Sequence, residues 1–227
     1  MALIAHYKLD GDATDSSGNG YNGTATNVTY VTGQIGQAGS FNGSSSQIVG
    51  TTLGNFGSTA TAFTIAMWVK PATTGLVMPF GSFFGSGTKL YSWINYGNST
   101  FATGRLEITC ANSSNVTRSA SVDSNTGVSD GSWHHVAFAI NLATDSYAIY
   151  VDAVSKTVVK VATAISAFGA NLQSAFNLGY FSGTPGLGRY NGLIDDLRVY
   201  DTQFTAGEVL SLYSGSSPLL KRRRRAI

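Results

Sequence analysis

Asn191-Gly-Leu-Ile-Asp-Asp-Leu-Arg-Val-Tyr200 decides how the chain reads. Asn-Gly opens it as a turn, and apolar residues alternate behind it, the pattern of a β-strand. Strict alternation places Leu193, Asp195, Leu197 and Val199 on one face and Ile194, Asp196, Arg198 and Tyr200 on the other. Asp195 then stands among aliphatic residues on a core-like face. A buried carboxylate is costly unless it is hydrogen-bonded, paired or metal-bound, so Asp195 is the residue that needs an explanation.

The same pattern recurs upstream. Strands are expected at Ala2–Leu9, Asn27–Val31, the run from Gly36 to Val49, Phe63–Pro71, Val77–Phe84, Lys89–Tyr96, Arg105–Cys110, Ser113–Val122, Gly131–Ile140, Ser146–Val151, Lys156–Val161 and Ala175–Tyr180. In Phe63–Pro71, Phe63, Ile65, Met67 and Val69 share one face and Trp68 takes the other. Asp10–Gly23 is dense in Asp, Asn, Ser and Gly, the residues of turns. Thr205-Ala-Gly-Glu208 has capping-box spacing and opens the one helical pattern, which Gly215 ends. A dozen or so short strands with one terminal helix imply an all-β fold: a two-sheet antiparallel jelly-roll sandwich with one short C-terminal helix. No linker or internal repeat interrupts it, so residues 1–215 read as one domain and 216–227 as a basic tail.

Charged residues are 11% of the chain, well under the usual quarter, while 43% are hydrophobic. The net charge of +2 conceals a division. Without Lys221–Arg225, nine basic residues face 12 acidic ones, so the body has no electrostatic case for nucleic acid. Cys110, the single cysteine, alternates with Leu106 and Ile108 and is expected to be buried. No apolar run is long enough for a membrane-spanning helix, and the first residues lack the pattern of a signal peptide. Trp133-His134-His135 is not a chelating pair, because neighbours on a strand point to opposite faces.

Six stretches in order carry a family resemblance: Tyr7–Gly20, Gly36–Gly43, Phe63–Pro71, Gly131–Val136, Ile149–Asp152 and Gly192–Tyr200. Together they resemble the LamG-like, concanavalin A-like lectin/glucanase jelly rolls over about residues 2–213. The resemblance implies two curved antiparallel sheets with the first and last strands adjacent, and glycan or protein binding. It also implies a structural Ca²⁺ held by an early loop and the late strand, which places Asp10, Asp15 and Asp195 as its ligands. The local alternative has Asp15 capping the Ser16-Ser17-Gly18 turn, Asp195 accepting from backbone N–H groups, and Asp196 pairing with Arg198 or Lys8.

Sugar recognition needs aromatic faces and amide or carboxylate partners, and Tyr91, Trp93, Tyr96, Tyr180, Phe181 and Tyr190 are the candidates. Glycoside hydrolysis needs two carboxylates about 5–10 Å apart. The related glucanases carry a Glu-x-Asp-x-x-Glu strand, and this chain has only Glu107 and Glu208, so no enzymatic activity is expected. Lys221, Arg222, Arg223, Arg224 and Arg225 are expected to dock on an acidic partner subunit. The combined expectation is a subunit of a phage-like virion, made in the cytoplasm and extracellular after release, that recognises surface glycans. The alternative is a free-standing, calcium-assisted carbohydrate-binding module.

Overall fold

The computed structural model describes residues 1–54, 56, 61–72, 77–82, 89–96, 104–122, 126–168, 176–180 and 189–215. Its strands are β1 (Leu3–Tyr7), β2 (Thr24–Thr26), β3 (Thr29–Thr32), β4 (Gln37–Asn42), β5 (Gln47–Val49), β6 (Ala62–Pro71), β7 (Phe80–Ser82), β8 (Lys89–Tyr96), β9 (Arg105–Ala111), β10 (Thr117–Val122), β11 (His134–Asn141), β12 (Ser146–Val151), β13 (Val154–Lys156), β14 (Val158–Val161), β15 (Asn177–Leu178) and β16 (Asn191–Tyr200), followed by helix α1 (Ala206–Tyr213). They form two eight-stranded antiparallel sheets, a jelly-roll sandwich. The first runs β13-β12-β11-β6-β16-β4-β3, with β1 also on β16; the second runs β14-β10-β9-β8-β7-β15-β5-β2.

The core lies between the sheets. Phe63, Ile65, Met67 and Val69 of β6 and Val136, Phe138 and Ile140 of β11 fill it from one side. Leu90, Ile94, Leu106, Ile108 and Cys110 fill it from the other. Period-two alternation delivers each set to one face. Cys110 is fully buried, as its spacing implied, and burial pushes its thiol pKa up.

Helix α1 covers the outer face of the first sheet. Val209 and Leu212 pack on Ala66, Ala137, Ala139, Tyr200 and Phe204, where the three alanines let the helix approach closely. Its N-terminus carries the expected capping box. Glu208 N–H donates to Thr205 Oγ1 at 3.4 Å, and Thr205 N–H donates to Glu208 Oε2 at 2.9 Å. Thr205→Ala is expected to cost about 1 kcal/mol by losing this cap, read as a lower denaturant midpoint at unchanged slope.

Strand β16 pairs with β6 along one edge. Its other edge changes partner: Asn191–Ile194 face Asn42–Gly39 of β4, and Leu197–Tyr200 face β1. The first and last strands therefore pair, as the resemblance implied. Between Asp195 and Arg198 the register to β6 shifts by a bulge, and Asp196 takes φ 50°. The extra residue reverses the alternation read from the sequence. Ile194, Leu197 and Val199 face the core, and Asp195 faces away from it. Asp195 is nonetheless fully buried, because the β3–β4 turn closes over it.

A second departure concerns residues 154–161. The strand expected at Lys156–Val161 begins at Val158 as β14, which pairs with β10 in the second sheet, and Lys156 instead ends β13, which pairs with β12 in the first. β-Branched residues stand on both sides of the break, and nothing in the run marks that change of sheet.

Candidate functional site

The second sheet carries its chemistry on the face turned away from the core. Strands β8, β9 and β10 set Tyr91 and Trp93 beside Thr109 and Glu107, and those beside Ser119 and Ser121, in direct cross-strand register. Glu107 Oε2 accepts from Ser121 Oγ at 2.6 Å and Oε1 accepts from Thr109 Oγ1 at 3.1 Å. Thr109 and Ser119 hydroxyls are 2.7 Å apart. Burial pushes the Glu107 carboxyl above the ordinary range, partly offset by these hydroxyls and by Arg105. Tyr91 and Trp93 stand edge to face with ring centroids 6.0 Å apart. Glu107, Thr109 and Ser121 form the buried floor, while Tyr91, Trp93 and Ser119 are half-buried. An aromatic pair beside fixed hydroxyls and a carboxylate matches a sugar ring, which offers an apolar C–H face and a polar rim.

Of the sequence-predicted aromatics, Tyr91 and Trp93 are on this face, and Phe181 lies outside the described residues. Tyr180 is half-buried, with the Arg189 guanidinium 4.4 Å over its ring. The Tyr96 side chain lies outside the described residues, although its backbone closes β8 opposite Arg105. Tyr190 corrects the reading: it is fully buried, its ring edge-on to Phe41, and its hydroxyl donates to the Leu193 carbonyl at 3.0 Å. Proximity to a Gly-rich loop was no guide, because alternation turns this ring inward. Tyr190→Phe is expected to cost about 1 kcal/mol, the usual worth of one buried hydrogen bond, and to leave any glycan affinity unchanged in a titration. Glu107, Thr109, Ser119 and Ser121 were not among the candidates read from the sequence. Their only signal is the polar half of the alternation in Arg105–Cys110 and Thr117–Val122.

The three aspartates expected at a metal divide into two places. Asp15 is consumed by its own loop: its carboxylate accepts from the His6, Ser17 and Tyr21 N–H groups and from the Ser17 hydroxyl. That set holds its pKa below the ordinary range despite burial. It is the local turn cap anticipated as the alternative. Asp10 and Asp195 both face the β3–β4 turn. Asp10 Oδ1 accepts from Gln37 N–H at 2.7 Å, and Asp195 Oδ2 accepts from Ile35 N–H at 2.8 Å. Asp195 Oδ1 is buried without a hydrogen-bond partner. Burial, opposed by the turn's N–H groups and reinforced by Asp196 and Asp10, pushes the Asp195 pKa up to about 6. Among the described residues no group of three or more His, Cys, Asp or Glu side chains converges on one point.

The two adjacent histidines do part to opposite faces. His134 Nδ1 is 2.8 Å from Asp152 and its Nε2 3.1 Å from Asp130. His135 is buried edge-on to Trp68 and Tyr213. Asp196 pairs with Arg198, one of its two anticipated partners, and also with His6 at 2.6 Å. Residues 221–225 lie outside the described residues. No helix among the described residues is long and apolar enough to cross a membrane.

Comparison with solved structures finds domain 4 of AbnA, a GH43 extracellular arabinanase from Geobacillus stearothermophilus, in complex with arabinotriose. It is 26% identical with a TM-score of 0.67, covering 93% of this chain and 98% of that one. The binding domain of Paraclostridial Mosquitocidal Protein 1 superposes with a TM-score of 0.71 at 16% identity, covering 94% of this chain and 52% of that one. The binding domain of botulinum neurotoxin serotype D gives 0.68 at 16% identity, covering 94% and 51%. The chain spans about half the length of these toxin domains, and at such identity the likeness is one of fold. The comparison with curated proteins finds no match. A model of the concanavalin A-like lectin/glucanases superfamily matches residues 41–210, and the chain belongs to that family.

Proposed function

We propose that this chain is a non-catalytic glycan-binding module. The observation that carries the proposal is the aromatic and hydroxyl ledge of the second sheet: Tyr91 and Trp93 beside Glu107, Thr109, Ser119 and Ser121. Both Glu107 oxygens are engaged by hydroxyls of the same floor, an arrangement suited to orienting a ligand rather than to transferring a proton. The 26%-identical domain was crystallised with arabinotriose, which makes pentose oligosaccharides the first ligands to try. Calorimetric titration of the full chain with arabinotriose and with xylan and β-glucan oligosaccharides is the test. Trp93→Ala should weaken binding about 30-fold, the ~2 kcal/mol scale of an aromatic anchor. Binding that survives Trp93→Ala unchanged removes this face from consideration.

Calcium belongs to the same proposal as a structural ion. Asp10 and Asp195 would hold it, with oxygen ligands completed from the turn they face. The buried, unpartnered Asp195 Oδ1 is the atom that fits such an ion. The virion-subunit reading gives way here to the module reading, which the ledge of the second sheet supports.

A further inference from the structure

The outer face of the first sheet, on the side of the sandwich away from the ledge, carries a small pocket. Strands β4, β16 and β6 build it. In register across them, Ser40 stands beside Leu193 and Leu193 beside Lys70. Their neighbours Phe41, Ile194 and Val69 face the core, so alternation turns this row outward. Asn191, two residues before Leu193, points the same way. Between the two outward positions lies Gly192, with Phe41 and Pro71 at its sides, and there the pocket floor is backbone. Gly131, from the loop before β11, also lines it. The volume is about 230 Å³, below the roughly 300–1,000 Å³ of pockets for drug-sized ligands, so the occupant is small. Ser40, Lys70 and Asn191 are half-buried, and their side chains make no hydrogen bond or ion pair among the described residues. No Asp or Glu lines the pocket. The acids closest in sequence are engaged elsewhere: Asp130 by Ser132 N–H and His134, Asp195 by Ile35 N–H under the β3–β4 turn. Lysine offers donors and no acceptor, and the amide and hydroxyl add further donors. A half-buried ammonium without a counter-charge fits a carboxylate. A free hydroxyl and a free amide beside Leu193 and Pro71 fit a ring that carries hydroxyls and C–H edges.

We propose that this pocket is a second binding site, for a small hydroxylated carboxylate of the sugar-acid class, a hexuronate. Lys70 holds the carboxylate, Ser40 and Asn191 hold the ring hydroxyls, and Leu193 and Pro71 form the apolar side. The site does not depend on the ledge. It lies on the other sheet, and either can fail without the other.

The experiment is an NMR titration of the full chain with galacturonate and glucuronate, with galactose and glucose, and with inorganic phosphate, all at one ionic strength. The uronates should shift the amide resonances of Gly131 and Gly192 saturably and leave those of β8 and β9 in place. Galactose and glucose should bind at least about tenfold more weakly, the worth of one charged hydrogen bond. Lys70→Met, which keeps the stem and removes the charge, should lose the same factor for the uronates, and Lys70→Arg should retain most of the affinity. Ser40→Leu, which fills the pocket, should abolish binding, with a thermal melt showing that the variant is folded. Phosphate or the neutral sugars binding as tightly as the acids, equal losses in Lys70→Arg and Lys70→Met, affinity that survives Lys70→Met, or no shift at Gly131 and Gly192 overturns the assignment. The ledge reading stands in each of those cases.

Discussion

Millimolar calcium is expected to raise the melting temperature of this protein by about 5–10 °C over the same protein in EDTA. A ligand present at a hundredfold excess over its dissociation constant stabilises the folded state by ~2.7 kcal/mol, and each kcal/mol moves the midpoint of a domain this size by about 2–4 °C. The gain should come through Asp195, the closing strand's buried carboxylate. Without a cation that group destabilises the fold. Its pKa is pushed up to about 6 by burial, so above that pH the folded state holds a charge that the unfolded chain would solvate freely. Asp195→Asn keeps the shape and an acceptor for Ile35 N–H. It should abolish the calcium response while melting no lower than wild type in EDTA. Asp195→Ala should melt below Asp195→Asn, because the N–H group of Ile35, satisfied at 2.8 Å by the carboxylate, loses its acceptor. Equal calcium shifts in wild type and Asp195→Asn would place the ion elsewhere or nowhere.

Acidification supplies the second large effect, through His135. Burial lowers its pKa to about 4. The residues facing it are Trp68 of β6, Tyr213 of α1, Asp196 and Arg198 of β16, and Asp152 after β12. The two aspartates favour the charged ring and the arginine opposes it, but burial outweighs all three. Between the ordinary histidine value and 4 the unfolded chain binds a proton that the folded one refuses. Stability is therefore fully present above about pH 6.5 and is lost as the pH falls toward 4, by about 3 kcal/mol at 1.36 kcal/mol per pH unit. Asp195 acts in the opposite direction in calcium-free protein, gaining stability as the pH falls from 6, so the two effects nearly cancel there. Asp195→Asn removes the compensation and should steepen the acid loss. His135→Phe keeps the ring between Trp68 and Tyr213 and should flatten it. Melting curves from pH 7 to 4.5 decide the matter: identical acid slopes in wild type and His135→Phe would free His135 of this role.

Much of the fold was legible in the residues. Alternation in Phe63–Pro71 gathered Phe63, Ile65, Met67 and Val69 on one face, which is the core face of β6, because a strand's period of two is local geometry and needs no knowledge of the neighbour. The capping box at Thr205 and Glu208 is local in the same sense, and both its hydrogen bonds are formed. The family followed from the order of such stretches. Three things were decided only by the tertiary structure. The bulge at Asp196 turned Asp195 out of the core and under the β3–β4 turn, an irregularity created where β16 exchanges β4 for β1. The assignment of β13 and β14 to different sheets depends on which edges stand open, not on the residues in the run. The aromatic and hydroxyl ledge joins β8, β9 and β10, whose register to one another no local pattern gives. Tyr91, Thr109 and Ser119 are scattered through the sequence as an aromatic and two hydroxyls. Only cross-strand pairing sets them in one row, because hydrogen bonding between strands, not sequence adjacency, determines which side chains stand side by side on a sheet.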